Sequence, residues 1–537
     1  MKNFIKHIFP VAALLLTMGV TSCVNDLDPE VLDPNKSTEY DATGLFNKCY
    51  ANFGLEGNGG GGTTDIVADD AGFTGLVRQM WNANELTTDE AICGWGDAGI
   101  STYVSNSYDA SSAFIAMYYN RLTIGIDYCN QYINVAGDVD ATKTAEVRML
   151  RAIQYYLLMD AFGNVPFGTT LAKPVQYTRK QMYDWLEAEL KEIEPLLSDA
   201  KAKKSTDAGY GRLDKASCWL LLSRLYLNAE VYTGTAQWDN AATYAKKVMD
   251  SDYKLNTSKS ANGKWSAYQM LFMADNGETS AAYEGIFPIL QDGLTTQGYG
   301  CSTFLSAGAF GDEMHANPDD PDGQNNSTAR WSGNRARVDL VNKFFPRGDA
   351  PNLPSYQMTD AAGDDRAILW GEDHVKDAVR ISTFKDGFGV AKFVNYRSDG
   401  GATKDGTFFD TDFFFFRVAE AYLNYAEALT RKAGTTAPAE AVTALNALRK
   451  RANAEERSSW TLSDICDEWS REFYFEGIRR PTLIRFNRFG GNNDYNWQWK
   501  GGAYEGRDFE AYRNIFPIPT KDLTANGNMK QNDGYGN

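Results

Sequence analysis

The chain has 537 residues, 43% of them hydrophobic, and its 53 basic and 70 acidic residues give a formal net charge of −17. This composition is typical of a globular protein and argues against nucleic acid or an anionic lipid surface as the main partner. Only three histidines occur, and none stands in an HExxH or GxSxG motif, so the sequence also argues against a histidine-dependent enzyme.

Residues 1–22 have the pattern of a secretory signal peptide. Two lysines precede an apolar run over residues 8–20, which is too short to span a bilayer. The sequence Val-Thr-Ser-Cys that follows resembles a bacterial lipobox, so we expect cleavage before Cys23 and a lipid on that residue. The acidic, proline-containing stretch 23–40 is predicted to be an extended tether.

The rest of the chain keeps six widely separated cysteines. They contain no CxxC pair, so the spacing predicts single buried thiols rather than a disulfide framework or a metal site. These residues are Cys49, Cys93, Cys129, Cys218, Cys301 and Cys466.

The body of the protein is predicted to be mainly helical. Apolar residues recur at helical spacing through residues 145–162, and the pattern stops at Gly163. A second helix is predicted to begin behind Asp214 as its N-cap, and a third to have Asp239 as its cap. The short turn between the second and third helices predicts an antiparallel helix pair.

A second helix pair follows the same plan near the C-terminus. The helical stretch 415–433 ends at Gly434, and the next helix has Pro438 in its first turn. Alanine-rich helix pairs of this kind are typical of tetratricopeptide-like units, although no strict repeat is visible. A further single helix is predicted over residues 464–489.

Two long stretches, 52–112 and roughly 290–410, are rich in Gly, Asn, Asp and isolated aromatic residues. Such regions are more often functional surface than disorder. The predicted fold is therefore mainly α, a tetratricopeptide-like helix-pair scaffold with large irregular loop insertions. Thr87 and Glu90 have the spacing of a capping box, which predicts a helix start. The glycine-rich segment 56–65 predicts a flexible surface loop, because it lacks the lysine of a phosphate loop.

Taken in order, the motifs of the whole mature chain resemble the SusD/RagB family, and most closely its starch-binding members. They include "NELTTDEA", "GRLDKASCWLLLSRLYLNAEVYTG", "DTDFFFFRVAEAYLNYAEA", "REFYFEGIRRPTLIRF" and the closing "FPIPTKDL". The resemblance implies one domain over residues 41–537, with an N-terminal part to about 230 and a C-terminal part from about 265.

The resemblance also implies a function. Members of this family are lipid-anchored proteins on the cell surface of the outer membrane, and they capture oligosaccharides without cleaving them. They act with a SusC-like TonB-dependent transporter and require no cofactor. For this chain the resemblance favours an α-glucan, either starch and maltooligosaccharides or a dextran-like chain.

The ligand site implied by the resemblance consists of residues from both irregular stretches. Aromatic rings suit the C–H faces of pyranose sugars, and a guanidinium can donate paired hydrogen bonds to neighbouring hydroxyls. Two alternatives stay open at this point: Trp95 either contacts sugar or supports the loop, and Arg78 either contacts sugar or forms a loop ion pair. The implied ligand-binding residues are Arg78, Trp95, Asp97, Tyr299 and Trp331.

The chain departs from the starch-binding pattern at one place. Where those members have Trp-x-Trp, this chain has Cys93-Gly94-Trp95, so one ring is missing at Cys93. A ligand-contacting asparagine of the family falls at or next to Asp97. We therefore expect the ligand preference to diverge at Cys93.

Acidic residues carry two further structural predictions. The resemblance allows a structural Ca²⁺ bound by Asp275, Asp410 and Asp412, with helix capping by Asp412 as the alternative. A structural ion-pair network is predicted for Arg471, Glu472 and Glu476.

Two other functions also stay open. One is peptide binding, as in the RagB branch. The other is glycoside hydrolysis, which needs two carboxylates flanking the scissile bond, for which the candidates are Glu85, Asp89, Glu90 and Asp97.

Overall fold

A computed structural model describes residues 41–536 except 69, 312, 318 and 320–327. The contact pattern separates Met1–Leu45 from Phe46–Asn537, and of the first unit only residues 41–45 are described. The predictions for the signal peptide, the tether and the lipid on Cys23 therefore lie outside the described residues. Within the described part, no helix combines the length and the apolar character needed to cross a membrane.

The described part is dominated by helices. They are α1 Ala42–Ala51, α2 Leu76–Glu85, α3 Ile100–Val104, α4 Ala113–Ala136, α5 Ala141–Phe162, α6 Arg179–Ile193, α7 Lys215–Leu227, α8 Ala229–Thr233, α9 Trp238–Met249, α10 Ser302–Ala307, α11 Val338–Phe344, α12 Ser355–Ala362, α13 Val418–Ala433, α14 Ala439–Arg451, α15 Leu462–Phe473, α16 Arg479–Arg485 and α17 Thr520–Ala525.

Short strands connect the helical blocks. They are β1 Ala91–Cys93, β2 Val165–Phe167, β3 Val175–Tyr177, β4 Gly285–Ile289, β5 Asn334–Ala336, β6 Leu369–Trp370, β7 Gly389–Val390 and β8 Phe413–Arg417. In the described residues they form antiparallel two-stranded ladders, which pair β1 with β5, β2 with β3, β4 with β8 and β6 with β7.

The predicted helix pairs are confirmed. Helix α9 packs against both α7 and α13, and α13 packs against α14, so the two pairs form one layered scaffold. Asp214 is the N-cap of α7, where its Oδ1 accepts hydrogen bonds from the backbone N–H groups of Ala216 (2.8 Å) and Ser217 (3.4 Å). The cap predicted for α9 is wrong, because Gln237 is its N-cap and Asp239 lies inside the first turn.

The single helix predicted over residues 464–489 is also wrong. Helix α15 ends at Phe473 and α16 begins at Arg479. Between them Phe475 and Gly477 have positive φ angles of 64° and 80°, which a continuous right-handed helix does not allow. The N–H of Gly477 instead donates to the Glu85 carboxylate at 2.6 Å.

The stretch 52–112 is more deeply buried than its composition indicates. All ten residues of α2 are buried, including its arginine and glutamate. The capping box predicted for Thr87 and Glu90 is absent: the Thr87 hydroxyl donates to the carbonyl of Ala83 at 2.7 Å, and Glu90 directly precedes β1. This stretch therefore forms part of the core and carries one side of the site described below.

A buried ion network joins the scaffold to its C-terminal helices. Glu472 on α15 accepts from Arg417 at 2.7 Å and from Arg366 at 3.2 Å, and it also contacts Arg451. Burial would raise the pKa of Glu472, but these guanidinium groups outweigh burial and lower it to about 2. The predicted structural role of Glu472 is confirmed. Arg471 belongs to the same network, because it pairs with Glu468 at 2.8 Å and Glu468 pairs with Arg366 at 2.8 Å. Glu476 belongs to it through Arg417 at 2.7 Å, so the predicted network is confirmed.

Candidate functional site

A cavity of about 400 Å³ lies among the irregular stretches. All five residues predicted to bind ligand lie in its wall, together with two residues that the sequence did not single out, Asp70 and Ala71. The five predicted residues come from α2, from the loop after β1 and from the segments around α10 and β5. The structure thus brings together side chains that are far apart in the chain.

The ladder between β1 and β5 joins the two sides of this cavity. Cys93 pairs with Asn334 in its register, and the N–H of Gly94 donates to the carbonyl of Gly333 at 3.1 Å. One residue further out, the indole N–H of Trp95 donates to the carbonyl of Trp331 at 2.8 Å.

Of the two roles left open by the sequence, support of the loop is present for Trp95, and contact with sugar stays a prediction. Its ring is partly exposed in the cavity wall, while its N–H supports the opposite loop. A Cβ atom at Gly333 would lie closer than 3.0 Å to the indole of Trp95. Glycine at that position lets the tryptophan ring lie against the backbone.

Three aromatic rings follow one another around the cavity, and we call them the aromatic arc (Trp95, Trp331 and Tyr299). The centroids of Trp95 and Trp331 are 6.2 Å apart with the ring planes at 58°. Those of Trp331 and Tyr299 are 6.0 Å apart with the planes at 54°. Because each ring is tilted from the last, the surface they present is curved rather than flat.

Close backbone approaches hold Tyr299 in place. Gly72 has a φ of 87°, and a Cβ there would collide with the Tyr299 carbonyl. Gly75 and Gly300 lie against each other in the same way, and the N–H of Arg78 donates to the carbonyl of Gly300 at 2.9 Å. The glycines at these positions allow the chain before α2 to pack directly on the segment that carries Tyr299.

Arg78 is nearly buried, and its guanidinium reaches the cavity from beneath the rings. It donates to the carbonyl of Ala71 at 3.1 Å and to the Asp70 carboxylate at 3.0 Å, and it lies 5.2 Å from the ring centroid of Phe304. The loop ion pair left open by the sequence is thus present. Arg78 also lines the cavity, so a ligand hydroxyl can reach the same guanidinium.

Glu56 fixes the loop that carries Asp70 and Ala71. Its carboxylate accepts a hydrogen bond from the N–H of Gly72 at 2.8 Å. Burial raises the pKa of Glu56 to about 6. This role was not predictable, because Glu56 stands at the edge of a glycine-rich segment with no recognisable motif.

The expectation that ligand preference diverges at Cys93, where a ring is missing, stays a prediction. The side chain is only 1% exposed and does not line the cavity, and burial raises the pKa of its thiol to about 12. A contact between Cys93 and a ligand therefore does not account for a change in preference. The six described cysteines are all buried with free thiols, as the sequence predicted.

Three of the four carboxylates considered for hydrolysis lie away from the cavity. Glu85, Asp89 and Glu90 are at most 1% exposed. Asp89 is held by Arg479 at 2.7 Å and Lys343 at 2.8 Å. Asp97, which is exposed, is the member of the four that lines the cavity.

The aspartates considered for calcium do not fit a shared ion. Asp275 accepts from the N–H and hydroxyl of Ser398, while Asp410 accepts from backbone N–H groups and Asp412 from Gln291 N–H and the Tyr210 hydroxyl. Burial raises the pKa of Asp412 to about 7. Across the described residues, no three acidic, histidine or cysteine side chains converge as metal ligands.

The fold and the cavity define a ligand-binding protein built on a tetratricopeptide-like scaffold. Comparison with known proteins makes this more specific. A sequence profile of the SusD family matches residues 314–535. The starch-binding protein SusD of Bacteroides thetaiotaomicron is 39% identical to the chain over 99% of both proteins. The chain therefore belongs to the SusD family.

Solved structures show the same fold. Surface glycan-binding protein A from Bacteroides uniformis superposes with a TM-score of 0.66 at 20% identity, covering 91% of this chain and 98% of that one. The protein of the same name from Bacteroides thetaiotaomicron, solved in complex with laminarihexaose, gives a TM-score of 0.64 at 20% identity with the same coverage. The mainly helical fold predicted from the sequence is thus confirmed.

Proposed function

We propose that this protein binds an α-glucan oligosaccharide, from starch or a dextran-like chain, in the cavity lined by the aromatic arc and does not cleave it. The observation that carries the proposal is the arrangement of three successively tilted rings around one cavity. A curved set of rings can contact the C–H faces of consecutive sugars in a curved chain. The similarity to a relative described as starch-binding supports an α-glucan.

Polar groups complete the proposed site. Arg78 lies at the cavity wall with its guanidinium plane fixed by two acceptors, so it can donate to hydroxyls without further ordering. Asp97 and Asp70 are exposed at the wall, where carboxylate oxygens can accept hydrogen bonds from sugar hydroxyls.

The other two functional classes have weaker support from the geometry. Peptide recognition commonly uses an open strand edge or a charged pocket. Here β1 and β5 pair with each other, and rings form much of the cavity wall. Hydrolysis requires two carboxylates flanking one bond. Of the acidic residues at the cavity, Asp70 is already paired with Arg78.

Titration calorimetry with maltoheptaose and with dextran oligosaccharides tests the proposal. We expect Trp331→Ala and Tyr299→Ala each to weaken binding about ten-fold or more, because each removes one stacking face. Tyr283→Ala is the matched control, since this exposed ring does not line the cavity. Undiminished binding in both cavity variants would disprove the site, and new reducing ends after incubation would identify a hydrolase.

We also propose that the protein is anchored in the outer membrane by a lipid on Cys23, faces outward, and passes its ligand to a SusC-like TonB-dependent transporter. The lipobox-like sequence and the family membership support this. Cys23→Ala should move the protein from the membrane to the soluble fraction. Affinity purification of the anchored protein should retain a transporter of that class, and its absence from the wild-type eluate would count against the partnership.

A further inference from the structure

Phe408 lies next to the aromatic arc, and the sequence did not single it out. Its ring centroid is 4.9 Å from that of Tyr299, with the two planes at 45°. The spacing and tilt are similar to those within the arc, so the series of rings continues beyond Tyr299. The side chain of Phe408 is partly exposed, whereas the next residue, Phe409, is only 1% exposed in the core.

The turn that presents Phe408 is firmly held. The Asp405 carboxylate accepts from the N–H groups of Thr407 at 2.7 Å and Phe408 at 2.8 Å. The N–H of Thr328 donates to the carbonyl of Gly406 at 2.8 Å. Because Thr328 opens the segment that leads to Trp331, the turn and the arc share one support. A ring fixed in this way loses little conformational freedom when a ligand packs on it.

The glycine-rich segment passes the edges of these two rings. A Cβ atom at Gly61 would lie closer than 3.0 Å to the Phe408 ring and 3.3 Å from the Tyr299 ring. Only glycine allows the backbone to come this near. The backbone at Gly61 therefore lies against the edges of both rings.

We propose that Phe408 is the fourth ring of the binding surface and takes the sugar unit that follows the one on Tyr299. This proposal rests on the proposed function, because it assigns a further sugar unit of the same oligosaccharide. It makes Phe408 a determinant of chain length: a short oligosaccharide occupies the aromatic arc, and only a longer one reaches Phe408.

Affinity for maltotriose and maltoheptaose, measured by calorimetry on the same preparations, tests the proposal. Wild-type protein should bind maltoheptaose more tightly. Phe408→Ala should weaken maltoheptaose binding about five- to ten-fold and leave maltotriose within about two-fold, because one stacking face is lost. Phe408→Tyr keeps the face and should bind like wild type, whereas Phe408→Leu keeps only the bulk and should bind like the alanine variant.

The outcomes separate the two proposals. If wild-type protein binds neither sugar, the proposed function fails and the fourth ring fails with it. If wild-type protein binds both, but Phe408→Ala changes both affinities equally or neither, the function stands and the fourth ring is disproved. Should the alanine variant lose its thermal unfolding transition, the comparison of Phe408→Tyr with Phe408→Leu decides the question, since both retain the packing volume.

Discussion

Trp95 shows how one residue can serve both the ligand surface and the structure beneath it. Its ring faces the cavity, and its N–H bonds to the carbonyl of Trp331, the neighbouring ring of the arc. The orientation of one ring therefore depends on the other. Any change that displaces the Trp95 indole should alter two stacking faces at once.

Gly333→Ala tests this dependence without removing any ring. The new Cβ would lie closer than 3.0 Å to the Trp95 indole, so the ring must move. We expect α-glucan affinity to fall about ten-fold, whereas the free energy of unfolding should fall by only about 1–2 kcal/mol. Gly527→Ala, where nothing lies within 4 Å of the new atom, is the control for calorimetry and thermal unfolding. Equal affinity in the two variants would show that the Trp95 orientation does not matter.

At the level of single residues, the sequence led to the cavity through aromatic side chains isolated in polar surroundings. Tyr299 and Trp331 stand among glycines and polar residues, which separates them from core rings. Phe408 lacks that signal, because it is not an isolated ring and lies beside the core residue Phe409. The burial of Cys93 depends on the pairing of β1 with β5, and a linear motif does not reveal which face of a short strand is covered.

Asp214 joins three segments around the start of α7. Besides capping the helix, its second carboxylate oxygen accepts from the N–H of Lys201 at 3.1 Å and from the Tyr253 hydroxyl at 2.8 Å. Burial raises the pKa of this carboxyl to about 6. Helix α7 packs against α9, so the cap also supports the first helix pair.

Asp214→Ala should lower the free energy of unfolding by about 2–3 kcal/mol, because it removes a cap and leaves the Tyr253 hydroxyl without its acceptor. Asp214→Asn retains an acceptor oxygen for the helix N–H groups. It should therefore lower the free energy of unfolding by less than half as much as the alanine variant. Urea unfolding followed by circular dichroism measures both. A loss in the alanine variant no greater than in the asparagine variant would contradict the capping role.

Helix ends were predicted correctly where the sequence has strong end signals. They were predicted wrongly where tertiary contacts determine the end. Gly163 and Gly434 follow their helices as expected. The break between α15 and α16 was signalled by Gly477 and by Pro481 four residues later, but the helical periodicity continues across both. The N–H of Gly477 turns toward the buried Glu85 and holds the break in place. Nor did composition predict α2, whose polar residues are buried. Two of them, Asn84 and Glu85, pair with the backbone of Gly477 far along the chain.

At the scale of the whole molecule, the buried ion network connects segments that are far apart in the chain. Glu472 lies where the end of β8, the end of α14 and the loop before β6 meet, and each of these contributes an arginine. Removing the negative charge would leave three buried cations short of an acceptor. The network therefore acts on the packing of the scaffold as a unit, well away from the cavity.

Glu472→Gln should lower the free energy of unfolding by about 3–5 kcal/mol at neutral pH. The folded-state pKa of Glu472 is depressed to about 2, so its contribution is present above about 4.5 and is lost as the pH falls toward 2. The wild type should therefore lose stability faster than the variant over that range. Glu505→Gln, at an exposed position, is the control in denaturant titrations at each pH. Parallel pH profiles for the three proteins would argue against the network.

The link between Trp95 and Trp331 joins positions 236 residues apart in the chain. This contact closes a long loop, so we expect the cavity to form late in folding. During synthesis, α2 and the loop after β1 are made before the strand Asn334–Ala336, with which β1 pairs. A truncated or half-folded chain would hold separate half-sites with no curved surface between them. We therefore expect only fully folded molecules to bind ligand, so a binding measurement would report complete folding.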